Sequence, residues 1–177
     1  MKFDVAGPFE LTRHGNNKII NRQSQIDLRT LLGTGKHKGL AEACGCYVFA
    51  VQTGGGSKPY YVGQACKSSL LREALNPANR EKYNTVLGRM KRGTPVLFFL
   101  PMKTPKGKFK KTKKAEGKFP SLTFLERWLI ATALEKNPRL ANNKETKFLR
   151  TIHVHGIFNA KKGEATKSSR ALDSVLW

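Results

Sequence analysis

Acidic residues are scarce in this chain: 12 Asp and Glu stand against 33 Lys and Arg in 177 residues, a formal net charge of +21. Such an excess spreads a positive field over the surface and favours a polyanion as partner, nucleic acid first. Long apolar runs are also missing. None approaches the roughly 18 residues of a spanning helix, which excludes a membrane-crossing segment. The opening Met1-Lys2-Phe3-Asp4 has no signal-peptide core, and the three cysteines show no disulfide spacing. Both absences lead to the expectation of an intracellular, cytoplasmic protein. There is no internal repeat, no glycine-rich loop of nucleotide-hydrolase spacing and no arguable Ser-His-Asp or Cys-His arrangement, so no small-molecule cofactor is expected. With 39% hydrophobic residues the chain still has the means to bury a core.

The first firm element is Gly45-Cys46-Tyr47-Val48-Phe49-Ala50-Val51, β-branched and aromatic, which predicts a buried strand. A glycine-rich turn over residues 53–59 and a second strand, Tyr60-Tyr61-Val62-Gly63, complete an antiparallel hairpin. A short helix is expected over 68–75, closed at Asn76-Pro77, and a longer one over 78–92. On the longer helix Tyr83, Val86, Leu87 and Met90 form one apolar stripe. Pro95 to Leu100 reads as a central strand buried on both faces.

Lysines then crowd residues 103–118, facing one acid, Glu116. Two readings stand for this loop: a solvated insertion, or a clamp in which Lys108, Lys110, Lys111, Lys113 and Lys114 neutralise nucleic-acid phosphates. A helix is expected over 123–136, closed by Asn137-Pro138. A last strand is expected over 151–158, and a basic helix in the tail from Lys161 to Trp177. The domain plan is an N-terminal arm with short strands (1–42), a central domain (43–145) into which the basic loop is inserted, and a C-terminal strand and tail (146–177).

On the helix over 123–136, Glu126 falls in line with Leu122, Leu129, Ile130 and Ala133, at spacings of three and four. A carboxylate on an apolar stripe loses hydration and needs a cation or hydrogen-bond donors to stay ionised. The alternative is a capping box, Thr123 with Glu126 three residues on. Cys44, Cys46, Cys66 and His37 raise the question of zinc, although Cys-x-Cys is not a usual zinc spacing. His153 and His155 read as hydrogen-bonded surface groups.

Gly45-Cys46-Tyr47 followed across a turn by Tyr61-Val62-Gly63, then an arginine-bearing helix, a strand and a glutamate-bearing helix, resembles the GIY-YIG endonucleases over about residues 43–145. The resemblance implies an α/β (α+β) fold, a small three-stranded mixed sheet flanked by helices. It implies metal-dependent hydrolysis of phosphodiester bonds in DNA, with RNA not excluded. The implied catalytic set is Tyr47, Tyr61, Arg72 and Glu126, with Mg2+ or Mn2+ on Glu126 and Gly45, Gly63, Tyr83 and Asn142 in support. Tyr61, or Tyr47, would orient or deprotonate the attacking water, while both also suit a plain core role. Arg72 would offset the extra charge on the phosphoryl group.

Three features depart from the family pattern. Arg72 lies one residue further from Gly63 than the pattern has it, a turn of about 100° on a helix. Gln64 stands where many members carry lysine. The histidine near the arginine helix is absent, with Tyr83 the nearest candidate to replace it. A nucleic-acid-binding protein that keeps the fold without the rate is the rival expectation.

Overall fold

The computed structural model describes residues 2–90, 92–111, 119–142, 146–158 and 165–176, leaving out the side chains of Lys147 and Phe148. Lys113, Lys114, Lys118, Asn143 and Trp177 lie outside these residues.

The hairpin is formed by β3 (Gly45–Thr53) and β4 (Gly56–Ala65). Its turn is tighter than the sequence suggests, because Thr53 pairs with Gly56 around Gly54-Gly55, and Gly56 takes a φ of 106°. Residues 57–59 therefore belong to the strand. β4 is an edge strand, where Pro59 and exposed Lys58 are tolerated. β5 (Thr94–Lys103) pairs antiparallel with the other side of β3.

Two further strands correct the three-stranded mixed sheet. β1 (Lys2–Phe3) and β2 (Ala6–Glu10) both line the far edge of β5, giving five strands with every pairing antiparallel. Their shortness, and the register shift between Ala6 and Phe9, erase the alternation by which a strand is read from sequence. The same N-terminal region supplies α1 (Arg22–Leu32), started by an Asn21–Ser24 capping box and burying Leu28 and Leu32.

Helices cover both sheet faces. Odd-numbered side chains of β3 and β5 (Tyr47, Phe49, Val51, Leu97, Phe99) join the core shared with α1, α2 (Leu70–Ala74) and α3 (Pro77–Gly88). Val86, Leu87 and Met90 pack on it beside Tyr83, so the apolar stripe holds, although α3 stops at Gly88. Even-numbered Cys46, Val48, Leu100 and Met102 turn to the opposite face, where α4 (Pro120–Lys136) lies.

Pro120 occupies the first turn of α4, where a missing N–H costs nothing, and Asn137 ends the helix. This start corrects the capping box. Thr123 already donates its backbone N–H to Phe119 at 3.1 Å, and Glu126 sits past the first turn, away from the open amides.

The expected strand over 151–158 is also corrected. α5 (Thr146–Thr151) ends there, and Val154 and Phe158 close a short turn around Gly156, whose φ is 71°. α6 (Lys167–Leu176) completes the described chain. No helix among the described residues is long and apolar enough to cross a membrane.

The free edge of β4 is closed by side-chain amides. Val62 donates its N–H to Asn142 Oδ1 at 2.9 Å, and Asn142 Nδ2 returns a bond to the Val62 carbonyl at 2.7 Å. Asn137 Nδ2 binds the Pro59 carbonyl at 2.7 Å, and the Ala141 N–H binds that of Tyr60 at 2.7 Å. The segment after α4 thus stands in for a sixth strand. Asn142→Ala leaves both buried Val62 groups unpaired and is expected to cost about 1–3 kcal/mol in urea unfolding. A loss near zero would show that the edge is held by other means.

Candidate active site

Tyr47 and Gly63 face each other across β3 and β4. The Tyr47 ring reaches over Gly63 so closely that a Cβ there would lie 2.4 Å from its hydroxyl oxygen. Glycine is required at 63 for this reason. At Gly45 the close neighbour is backbone, with a Cβ meeting the Leu100 carbonyl oxygen at 2.3 Å. The two signature glycines thus serve packing, one of a side chain and one of a strand.

Tyr47 is 1% exposed, and its oxygen accepts a bond from Asn79 Nδ2 at 2.9 Å. Burial holds this phenol well above its ordinary pKa. Tyr61, Glu73 and Glu126 add to the effect, while the Asn79 bond works the other way. Tyr47 is therefore a neutral phenol inside the protein, held in place and shielded from ligand.

Tyr61 shares the face, its ring centroid 6.2 Å from that of Tyr47, and it is partly exposed. The Lys82 ammonium lies 3.4 Å from its hydroxyl oxygen and 4.6 Å from its ring centroid, and donates to Asn79 Oδ1 at 3.2 Å. A chain of contacts thus runs from Tyr61 through Lys82 and Asn79 to Tyr47. Sequence reasoning misses Asn79 and Lys82, because the apolar stripe dominates α3. Their signal is the i, i+3 spacing, which puts both on one side of that helix.

Glu126 is half-buried on α4, between buried Leu122, Ile130 and Ala133. α4 packs on the opposite sheet face, and the charge of Glu126 acts on both Tyr47 and the Cys46 thiol. Arg72 takes no part in this cluster. It is exposed on α2, while the next residue, Glu73, is half-buried and acts electrostatically on Tyr47 and Tyr83. Lys82 supplies the cation beside the tyrosines.

Tyr83 is wholly buried and stacked on Phe49 at 4.0 Å, so it presents nothing to a ligand. Asn142 acts on the β4 backbone at Val62, next to the signature glycine.

Of the basic loop, Lys108 and Lys111 are exposed beside Lys36, Lys38, Lys103 and Phe109, in a cleft of about 400 Å³. Lys110 lies over the Phe119 ring at 4.3 Å. Residues 103–111 are more ordered than a free loop. Lys110 pairs through its backbone with Met102 and Cys44, each at 2.8 Å.

Cys44 and Cys46 are buried with Met102 and Leu122, Cys66 packs against them, and His37 meets Phe9 edge-on at 5.0 Å. Among the described residues no three His, Cys, Asp or Glu gather as a metal cluster. His153 and His155 are exposed. No protein-family model, curated protein or solved structure matches the chain.

The Tyr83 hydroxyl is buried without a hydrogen-bond partner among the described residues. An unmet buried hydroxyl costs on the order of 1–3 kcal/mol. Tyr83→Phe keeps the stacked ring and is expected to raise thermal stability, by about 2–4 °C per kcal/mol recovered. A lower melting temperature would mean that the hydroxyl is bonded.

Proposed function

We propose that this chain is a divalent-metal-dependent endonuclease that hydrolyses phosphodiester bonds in DNA, of the GIY-YIG kind. The reading is carried by the cluster in which tyrosines from the two paired signature strands share one sheet face. An ammonium lies at the Tyr61 hydroxyl, and the charge of Glu126 is felt at Tyr47. The order of elements supports it: hairpin, arginine-bearing helix, strand beside β3, glutamate-bearing helix. The net charge of +21 suits a nucleic-acid substrate.

Tyr61, the partly exposed phenol, orients the attacking water. The water oxygen bonds to phosphorus and loses a proton to solvent, the bond to the leaving sugar oxygen breaks, and that oxygen takes up a proton from solvent. Lys82 offsets the charge gathering on the phosphoryl oxygens, the part that Arg72 would otherwise play. Tyr47 and Asn79 are positioning residues that hold Lys82 and Tyr61 in register. One half-buried carboxylate, with no cluster of further ligands among the described residues, suits magnesium or manganese, hard cations that keep most of their water. Held by Glu126, such an ion would supply Lewis-acid polarisation of the scissile phosphate.

The exposed position of Arg72 favours a second reading, a protein that binds nucleic acid and does not cut it. Supercoiled plasmid incubated with the purified chain separates the two. Nicking is expected with magnesium or manganese and is expected to stop with chelator. Glu126→Gln and Lys82→Gln should each slow it by on the order of a hundredfold, while Arg72→Gln leaves it near the native rate. Binding without nicking under every metal condition supports the second reading. Nicking by Glu126→Gln at the native rate removes the metal site.

A further inference from the structure

β4 breaks its alternation once. Phe49 faces Tyr61 and Ala50 faces Pro59, so Tyr60 is the extra residue of a β-bulge. A regular strand would send Tyr60 and Tyr61 to opposite faces. Here both pack against the core on the face that carries α3. Bulges re-aim side chains in this way, and they are frequent beside functional sites.

The redirected Tyr60 walls a cleft of about 310 Å³ together with Lys58, Val86, Arg89, Met90 and Arg139. That volume lies at the lower end of the range for small-ligand sites. Its floor is aromatic and apolar, its rim carries three cations, and no acidic residue lines it among the described residues. Lys58, Arg89 and Arg139 are exposed, and none is in an ion pair among the described residues. The frame is fixed by buried Asn137, which binds the Pro59 carbonyl at 2.7 Å and accepts from the Arg139 N–H at 3.1 Å. Val86 follows Lys82 by four residues on α3, so the cleft continues the helix face that serves Tyr61.

An aromatic wall with cations around it and no carboxylate matches a flat, uncharged base flanked by phosphates, the pairing on which single-strand binding relies. We infer that this cleft is a nucleotide subsite. It stacks one unpaired base against Tyr60 and holds the neighbouring phosphates with Lys58, Arg89 and Arg139. Through Val86 it leads the strand towards Lys82 and Tyr61. Only this last step rests on the nuclease reading; the binding itself does not.

Anisotropy of a fluorescein-labelled thymidine hexanucleotide, measured in chelator, tests it against the same strand with one abasic position. The native chain should bind the full strand on the order of tenfold tighter, from the stacking of one base. Tyr60→Phe should keep that preference, and Tyr60→Leu should abolish it. Arg89→Gln with Arg139→Gln, both exposed, should weaken both strands. The magnitude of the log affinity–log salt slope should fall by about 0.7 for each phosphate that the variant no longer neutralises. Where Tyr60→Leu fails to fold, the arginine pair decides. No base preference in the native chain, or unchanged binding in the arginine variant, overturns the subsite. A native chain that shows the preference and never nicks plasmid leaves the subsite standing and removes the nuclease reading. Nicking with silent subsite variants does the reverse.

Discussion

The site depends on the contact between the Tyr47 phenol and the bare backbone of Gly63. These residues are opposite each other on β3 and β4, and the ring can cross to the edge strand only where no Cβ stands in its way. From there the phenol meets Asn79, which is fixed in the first turn of α3 by the Asn76 side chain. Asn79 in turn holds Lys82, and Lys82 sits at Tyr61. Packing thus sets the polar geometry, since each link is a short contact that follows from the preceding one. Burial keeps Tyr47 neutral, so the cluster carries its cation at the partly exposed end, where a phosphate would arrive in the proposed reaction.

The sheet separates two kinds of contribution. The face packed by α1, α2 and α3 holds the phenols and the ammonium, while the face under α4 holds Glu126 among leucines and the buried cysteines. The two faces meet at the β4 edge, where Tyr61 stands and the charge of Glu126 still reaches Tyr47. That edge is the one where Asn137 and Asn142 bond the backbone of Pro59 and Val62 with side-chain amides, in place of another strand.

What could be read from the sequence was local. β-branched residues and glycines marked the hairpin, Tyr83, Val86 and Leu87 marked the inner face of α3, and the spacing around Glu126 put it on the inner face of α4. What escaped depended on distant partners. Short strands were expected in the N-terminal arm, but their position was not: β1 and β2 form where β5 offers them an edge, and two to five residues with a register shift carry no period of their own. The bulge at Tyr60 is a register event between β3 and β4, invisible in either strand alone. Lys82 stands beside the apolar stripe of α3, and only the fold brings Tyr61 to it. The Thr123–Glu126 spacing suggested a cap, but Pro120 starts the helix earlier and removes that role.

The most direct test of this dependence is a double-mutant cycle in urea unfolding with Gly63→Ala and Tyr47→Leu. The added methyl collides with the ring end, so Gly63→Ala should cost about 1–3 kcal/mol when Tyr47 is present. In the Tyr47→Leu background, where the ring is gone, it should cost far less, giving a coupling of about 1 kcal/mol or more. Additive effects, within about 0.5 kcal/mol, would mean that Tyr47 does not lie across Gly63 and that the cluster is not built on that contact.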